Sequence, residues 1–297
     1  MDIALLSLSS CLGCQMVFLS LEEYLYELIG GNRVVYAPFL MDKKELHHAD
    51  LALVEGTVRN TEHFLKAREI REKADRVVAL GTCSCFGGVQ GLADLYPESR
   101  LLRSRFGDTA FEGGPQGVRR LLPLDSFIRV DAYLPGCPPV PALLEGFLRS
   151  AVSGDRLSRE GATVCAECKV TSPPLPQPGP RRLTEGSGEP GKCLLDSGFF
   201  CLGPLTRDGC GALCPSGMGV PCRGCRGPSG RVLERKGADV EGETVRRLAR
   251  ATGKKEEEIR AEVPDPAHTY YFFCLAEPLL RKRRSGGTSP YLHRLGE

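Results

Sequence analysis

A chain of 297 residues is long enough for two domains, and its 39 basic and 37 acidic side chains leave a net charge of +2. That balance gives no footing for a nucleic-acid partner, and no run of 18 apolar residues supplies a transmembrane segment. The start, Met1-Asp2-Ile3-Ala4, has an acid where an export signal carries bases and shows no twin-arginine pair. A cytoplasmic location is therefore expected, and there the fourteen cysteines are poorly explained as disulfides. They read as ligands to soft metals.

The first half alternates strands and helices. Residues 3–8 form an apolar run ending in Ser9-Ser10-Cys11. Residues 16–28 place Phe18, Leu21, Leu25 and Leu28 at helical spacing, with Gly30-Gly31 as the stop. Residues 33–39 and 51–54 read as the second and third strands, the latter closed by Glu55-Gly56. Asn60 caps a helix to about Lys73. A fourth strand, 76–80, ends in Gly81-Thr82-Cys83. A fifth, 129–134, ends in Pro135-Gly136-Cys137-Pro138-Pro139 and is followed by a helix over 140–150. Apolar strands alternating with helices predict an α/β domain with a doubly wound parallel sheet, over residues 1–152.

Residues 153–297 differ in character. They are rich in Gly, Pro and Cys, with one helical stretch expected over 241–263. The run of prolines between Pro173 and Pro180 reads as a looping segment. The basic stretch at 281–287 reads as a solvated surface tail.

Cys11, Cys14, Cys83 and Cys137 each lie just past the carboxyl end of a proposed strand, the edge where ligands bind in open parallel sheets. Four thiolates from three loops can converge there. Glycines beside them let the backbone approach a bulky cluster and aim amides at its sulfurs. Zinc also takes four cysteines, but its sites usually pair two short knuckles, and here Cys83 and Cys137 come singly and late. An iron–sulfur cluster is the better reading.

Cys11-Leu12-Gly13-Cys14, Gly81-Thr82-Cys83 with Gly87-Gly88, and Pro135-Gly136-Cys137-Pro138-Pro139 resemble the signatures of nickel–iron hydrogenase small subunits. The resemblance implies a flavodoxin-like fold for the first domain and a proximal [4Fe–4S] cluster on these four cysteines. That cluster would face a nickel–iron centre in a separate large subunit. Val54-Glu55-Gly56 also matches a family element near this cluster; for Glu55, a loop-capping role and a functional one are both open. Cys85 and Cys274 read as core thiols.

The stretch from Cys193 to Cys210 and Pro221-Cys222-Arg223-Gly224-Cys225 are similar to the family's pattern for two further clusters. The resemblance implies an irregular, cysteine-rich second domain. Cys165, Cys168, Cys193 and Cys201 would hold the distal cluster, and Cys210, Cys214, Cys222 and Cys225 the medial one, making three [4Fe–4S] clusters in all. Where many family members have a histidine as first distal ligand, this chain has Cys165. Where many have three medial cysteines and a three-iron cluster, Cys214 supplies a fourth. Both departures make the sites more negative and lower their potentials. The expected partners are the large subunit and an electron-accepting iron–sulfur or flavin subunit. Arg207 and Arg223 read as ordinary carbonyl donors. Two other readings stay open: a relay subunit of a complex I-like or quinone-linked assembly, and a structural zinc protein.

Overall fold

The structure is a computed structural model that describes residues 1–42, 45–107, 116–117, 120–155, 162–234 and 239–277. The basic segment at 281–287 lies outside the described residues. The chain divides into two compact units, one of Met1–Arg159 with the chain from Phe273 onward, the other of Glu160–Phe272.

In the first unit β1 (Asp2–Ser7), β2 (Arg33–Tyr36), β3 (Ala49–Glu55), β4 (Ala74–Leu80) and β5 (Ala132–Leu134) form one parallel sheet. Its order is β2-β1-β3-β4-β5, the flavodoxin-like arrangement with its switch point between β1 and β3. Alternation along the strands sends Ile3, Leu5, Leu51, Leu53, Val78 and Leu80 to one face, all buried. Phe18, Leu21, Leu28, Leu144, Phe147 and Leu148, from the helices after β1 and β5, complete that core. Each such side chain contributes about 1.5–3 kcal/mol by leaving water. The opposite face carries Ala4, Ala52, Val54, Val77 and Ala79, also buried, and so the strands lack polar alternation.

The helix expected over 16–28 is two helices, α1 (Gly13–Leu19) and α2 (Glu22–Gly31). Ser20 closes the first, its N–H reaching the Met16 and Val17 carbonyls, and Glu22 takes a left-handed φ of 47°. Gly30 and Gly31 stay inside α2; the stop is Asn32, whose side chain donates to the Leu28 carbonyl at 2.9 Å. Asn60 does cap α3 (Thr61–Lys73), accepting from the His63 N–H at 2.9 Å. The segment after β4 is a short helix, α4 (Gly81–Phe86), rather than open loop. α5 (Glu98–Phe106) was not expected, and α6 (Pro141–Ser153) follows β5 as anticipated.

The second unit is mostly irregular around α7 (Val164–Glu167), α8 (Gly230–Glu234), α9 (Val240–Thr252), α10 (Glu256–Ala261) and α11 (Pro266–Tyr270). The single helix expected over 241–263 is broken at Gly253, whose φ of +73° ends α9. The chain leaves this unit before the expected domain end. Phe273–Glu277 rejoins the first unit, where Ala276 stands so close to Gly87 and Gly91 that a methyl at either glycine would collide with it. Among the described residues, no helix is long and apolar enough to cross a membrane.

Candidate iron–sulfur sites

The first site lies at the carboxyl edge of the sheet, beside the switch point. The turn after β1 carries Cys11 and Cys14, with Leu12 between them in the left-handed region at φ 65°. A buried carboxylate holds this turn. Glu55, 1% exposed at the end of β3, accepts from Ser7 Oγ at 2.9 Å, Ser10 Oγ at 3.1 Å and the Cys14 N–H at 3.2 Å. Glu55 is thus the anchor of the two-cysteine turn. Gly56, at φ +88°, lies so near Ser9 that a Cβ there would come within 2.4 Å of its carbonyl oxygen.

The loops after β4 and β5 are tied to each other. Thr82 N–H donates to the Gly136 carbonyl and Gly136 N–H to Thr82 Oγ1, both at 2.9 Å. Cys83 and Cys137 ride on these loops. Gly81 (φ +80°) is a necessity, because a Cβ there would stand 2.3 Å from Cys14 Sγ. The four thiols are mutual electrostatic neighbours. Burial first, then Glu55, Cys83 and Cys137, pushes Cys14 far above the ordinary thiol range. Cys83 is pushed up to about 12 by burial and by Cys137, Cys11 and Glu55. Burial and Cys11 raise Cys137. Cys11 and Cys137 are exposed, so the site opens at the protein surface.

Cys85 is two residues from Cys83 but faces elsewhere. Two helical positions lie about 200° apart, and its S–H donates to the Ala79 carbonyl at 3.3 Å. Cys274 is buried in the first unit as a core thiol.

The second unit gathers eight cysteines. Cys165 lies in α7 and Cys168 just past its end, and burial, Cys193, Cys168 and Cys222 push Cys165 up to about 12. Cys201, 6% exposed, is pushed up to about 12 by burial with Cys165 and Cys193 opposing its charge, while amides of Gly203 and Cys222 donate to it. A Cβ on Gly203 would touch Cys165 Sγ at 3.3 Å and Cys201 Sγ at 3.7 Å, so these two thiols flank that glycine. Cys165, Cys168, Cys193 and Cys201 therefore form one neighbourhood. Cys210 and Cys214 form a pair, the latter raised by burial and by Cys210. Cys222 and Cys225 form another, with Cys222 also beside Cys201. Val220 N–H donates to the Cys214 carbonyl at 3.0 Å and draws the two pairs' loops together. Cys214 sits in a π-helical turn, Leu213–Gly217, a distortion frequent at functional sites.

Sequence reasoning missed two supports. Glu167, inside the Cys165–Cys168 turn, accepts from Gly209 N–H at 2.8 Å and Gly211 N–H at 3.0 Å, clamping the Cys210 loop to α7. Nothing in the spacing of Cys165, Glu167 and Cys168 marks this contact. Ser216 Oγ donates to Cys168 Sγ at 3.4 Å. Arg207 and Arg223 do donate to carbonyls, of Pro228 at 2.8 Å and His268 at 3.3 Å.

The all-thiol donor set suits soft metals. None of the fourteen cysteines is in a disulfide. A tetrahedral zinc with Zn–S of about 2.3 Å holds its sulfurs about 3.8 Å apart. Among the described residues, the trio of metal-capable side chains with ligand atoms within 4.8 Å of one another is His48, Asp50 and Asp75, with no cysteine in it. The raised thiols fit any metal, since a buried thiolate needs positive charge beside it.

Residues 11–151 match the family described as NADH ubiquinone oxidoreductase, 20 Kd subunit. Over 291 residues the chain is 34% identical to a subunit of the vhu F420-non-reducing hydrogenase of Methanococcus voltae, covering 95% of this chain and 98% of that one. It is 31% identical over 231 residues to the delta subunit of sulfhydrogenase 2 of Pyrococcus furiosus, covering 77% and 87% of the two chains. The fold is similar to a chain of the Ni-Fe-Se hydrogenase from Desulfomicrobium baculatum, with a TM-score of 0.50 at 17% identity over 76% of this chain and 94% of that one.

Proposed function

Because the chain belongs to the family of nickel–iron hydrogenase small subunits, alongside those of the F420-non-reducing hydrogenases, we propose that it relays electrons through three [4Fe–4S] clusters. The proximal one is assigned to Cys11, Cys14, Cys83 and Cys137, the medial to Cys210, Cys214, Cys222 and Cys225, the distal to Cys165, Cys168, Cys193 and Cys201. The observation that supports this reading is the grouping of thiols at the carboxyl edge of the sheet and around Gly203.

When bound, such clusters accept and release single electrons; the protein sets where they sit and at what potential. Glu55 fixes the turn of Cys11 and Cys14. The Thr82–Gly136 pair fixes Cys83 against Cys137. Amides of Val89, Gly203 and Cys222 donate to cage sulfurs, which favours the more negative reduced state. All-cysteine cages work in the opposite direction. The balance suits a low-potential acceptor, an iron–sulfur or flavin subunit, rather than a high-potential cytochrome. Cysteines that serve as cluster ligands suit a reducing compartment, and we place the protein in the cytoplasm.

The hydrogen-splitting nickel–iron centre belongs to a large subunit. The test is co-purification: with the large subunit, the chain supports hydrogen-dependent dye reduction, and alone it does not. Activity of the isolated, cluster-loaded chain would overturn the assignment. A complex I-like relay is the second reading, favoured by the family match over 11–151. The eight cysteines of the second unit oppose it.

A further inference from the structure

Cys222 belongs to two neighbourhoods at once. Its Sγ is assigned above to the medial set, while its backbone N–H donates to Cys201 Sγ at 3.3 Å. Against the Cys222 Sγ lies a fully buried hydroxyl, Thr206 Oγ1, at 3.6 Å, on a residue 2% exposed. In the thiol state Cys222 is the donor of this contact, and the Thr206 hydroxyl donates instead to the Leu202 carbonyl at 2.7 Å.

That carbonyl does not need the hydroxyl. It already accepts from the Leu205 N–H at 3.0 Å and from Thr206's own N–H at 3.1 Å, which fills a carbonyl's two lone pairs. The carbonyl therefore stays paired if the hydroxyl turns away, and burial denies that hydroxyl water. Coordination removes the proton from Cys222, so the contact survives only if Thr206 becomes the donor. A rotation about one C–O bond accomplishes this. The Gly224 amide already donates to the same sulfur, so the hydroxyl would add a second, switchable donor.

We propose that Thr206 is a positioning and tuning residue for the cluster held by Cys222: its hydroxyl turns from Leu202 to the coordinated sulfur and raises that cluster's potential. The inference rests on the assignment of Cys222 as a ligand. A hydrogen bond to a cage sulfur stabilises the reduced, more negative state. The Cys222 N–H meanwhile donates to Cys201 Sγ, so this residue touches both proposed cages.

The experiment is a redox titration followed by paramagnetic resonance on the complex with its large subunit, comparing wild type, Thr206→Val and Thr206→Ser. The cluster to watch is the one whose signal Cys214→Ala alters. Expected is a negative shift of that midpoint in Thr206→Val, with iron content unchanged, and a wild-type midpoint in Thr206→Ser. An unshifted midpoint in an iron-replete Thr206→Val overturns the proposal. So does a Thr206→Ser midpoint shifted from wild type, which would assign the effect to the lost methyl; this arm decides if Thr206→Val loses iron. Full iron content in Cys222→Ala would instead fault the ligand assignment.

Discussion

At the scale of single residues, neighbouring cysteines play different parts. Cys83 and Cys85 share one short helix, yet Cys83 faces Cys14 and Cys137 while Cys85 is bonded to its own strand's end. The thiols proposed as ligands were legible because fourteen cysteines cluster in loops beside glycines that mark close approach. Glu167 and Thr206 were not legible. An acid that reaches Gly209 and a hydroxyl that reaches Cys222 act over contacts that spacing does not encode. Two predictions belong here. Cys214→Ala should convert the medial cluster to a three-iron form, paramagnetic when oxidised; an unaltered resonance spectrum would mean Cys214 is no ligand. Glu55→Ala strips the acceptor from two hydroxyls and the Cys14 N–H, and should cost about 1–3 kcal/mol in a denaturant titration. Glu55→Gln, which keeps an acceptor oxygen, should cost less.

Elements inherit their bounds from local bonds more than from periodicity. The apolar spacing of Phe18, Leu21, Leu25 and Leu28 runs unbroken through Ser20, so nothing in the pattern announces that Ser20 ends one helix and Glu22 begins another. Asn60 was readable because its capping role needs only the next three residues. The start of α3 also carries a titratable group. His63, half-buried, accepts the Arg59 N–H on Nδ1 at 3.3 Å, which requires its neutral form. Burial, aided by Lys66 and opposed by Glu62, holds it below its ordinary 6.5. The unfolded chain therefore takes up this proton first as pH falls. The stabilisation is complete above about pH 6.5 and is lost as pH drops through the folded value. The denaturation midpoint should fall as pH drops below about 6.5, and His63→Gln should flatten that dependence. An identical slope in the variant would place the effect elsewhere.

Across the whole molecule, the first unit's parallel sheet was readable from strands apolar on both faces, and the observed order, β2-β1-β3-β4-β5, sets the first site beside the switch point. The irregular second unit was readable only as a cysteine-rich domain, since few of its segments carry a period. The return of Phe273–Glu277 to the first unit had no signal, because it depends on where Ala276 finds room against Gly87 and Gly91. The account's central claim concerns the metal content of both units together. The measurement that tests it most directly is iron, acid-labile sulfide and zinc per chain in the anaerobically purified protein. Three cubane clusters predict about twelve irons and twelve sulfides with little zinc; about four irons, or zinc in stoichiometric amount, would contradict it.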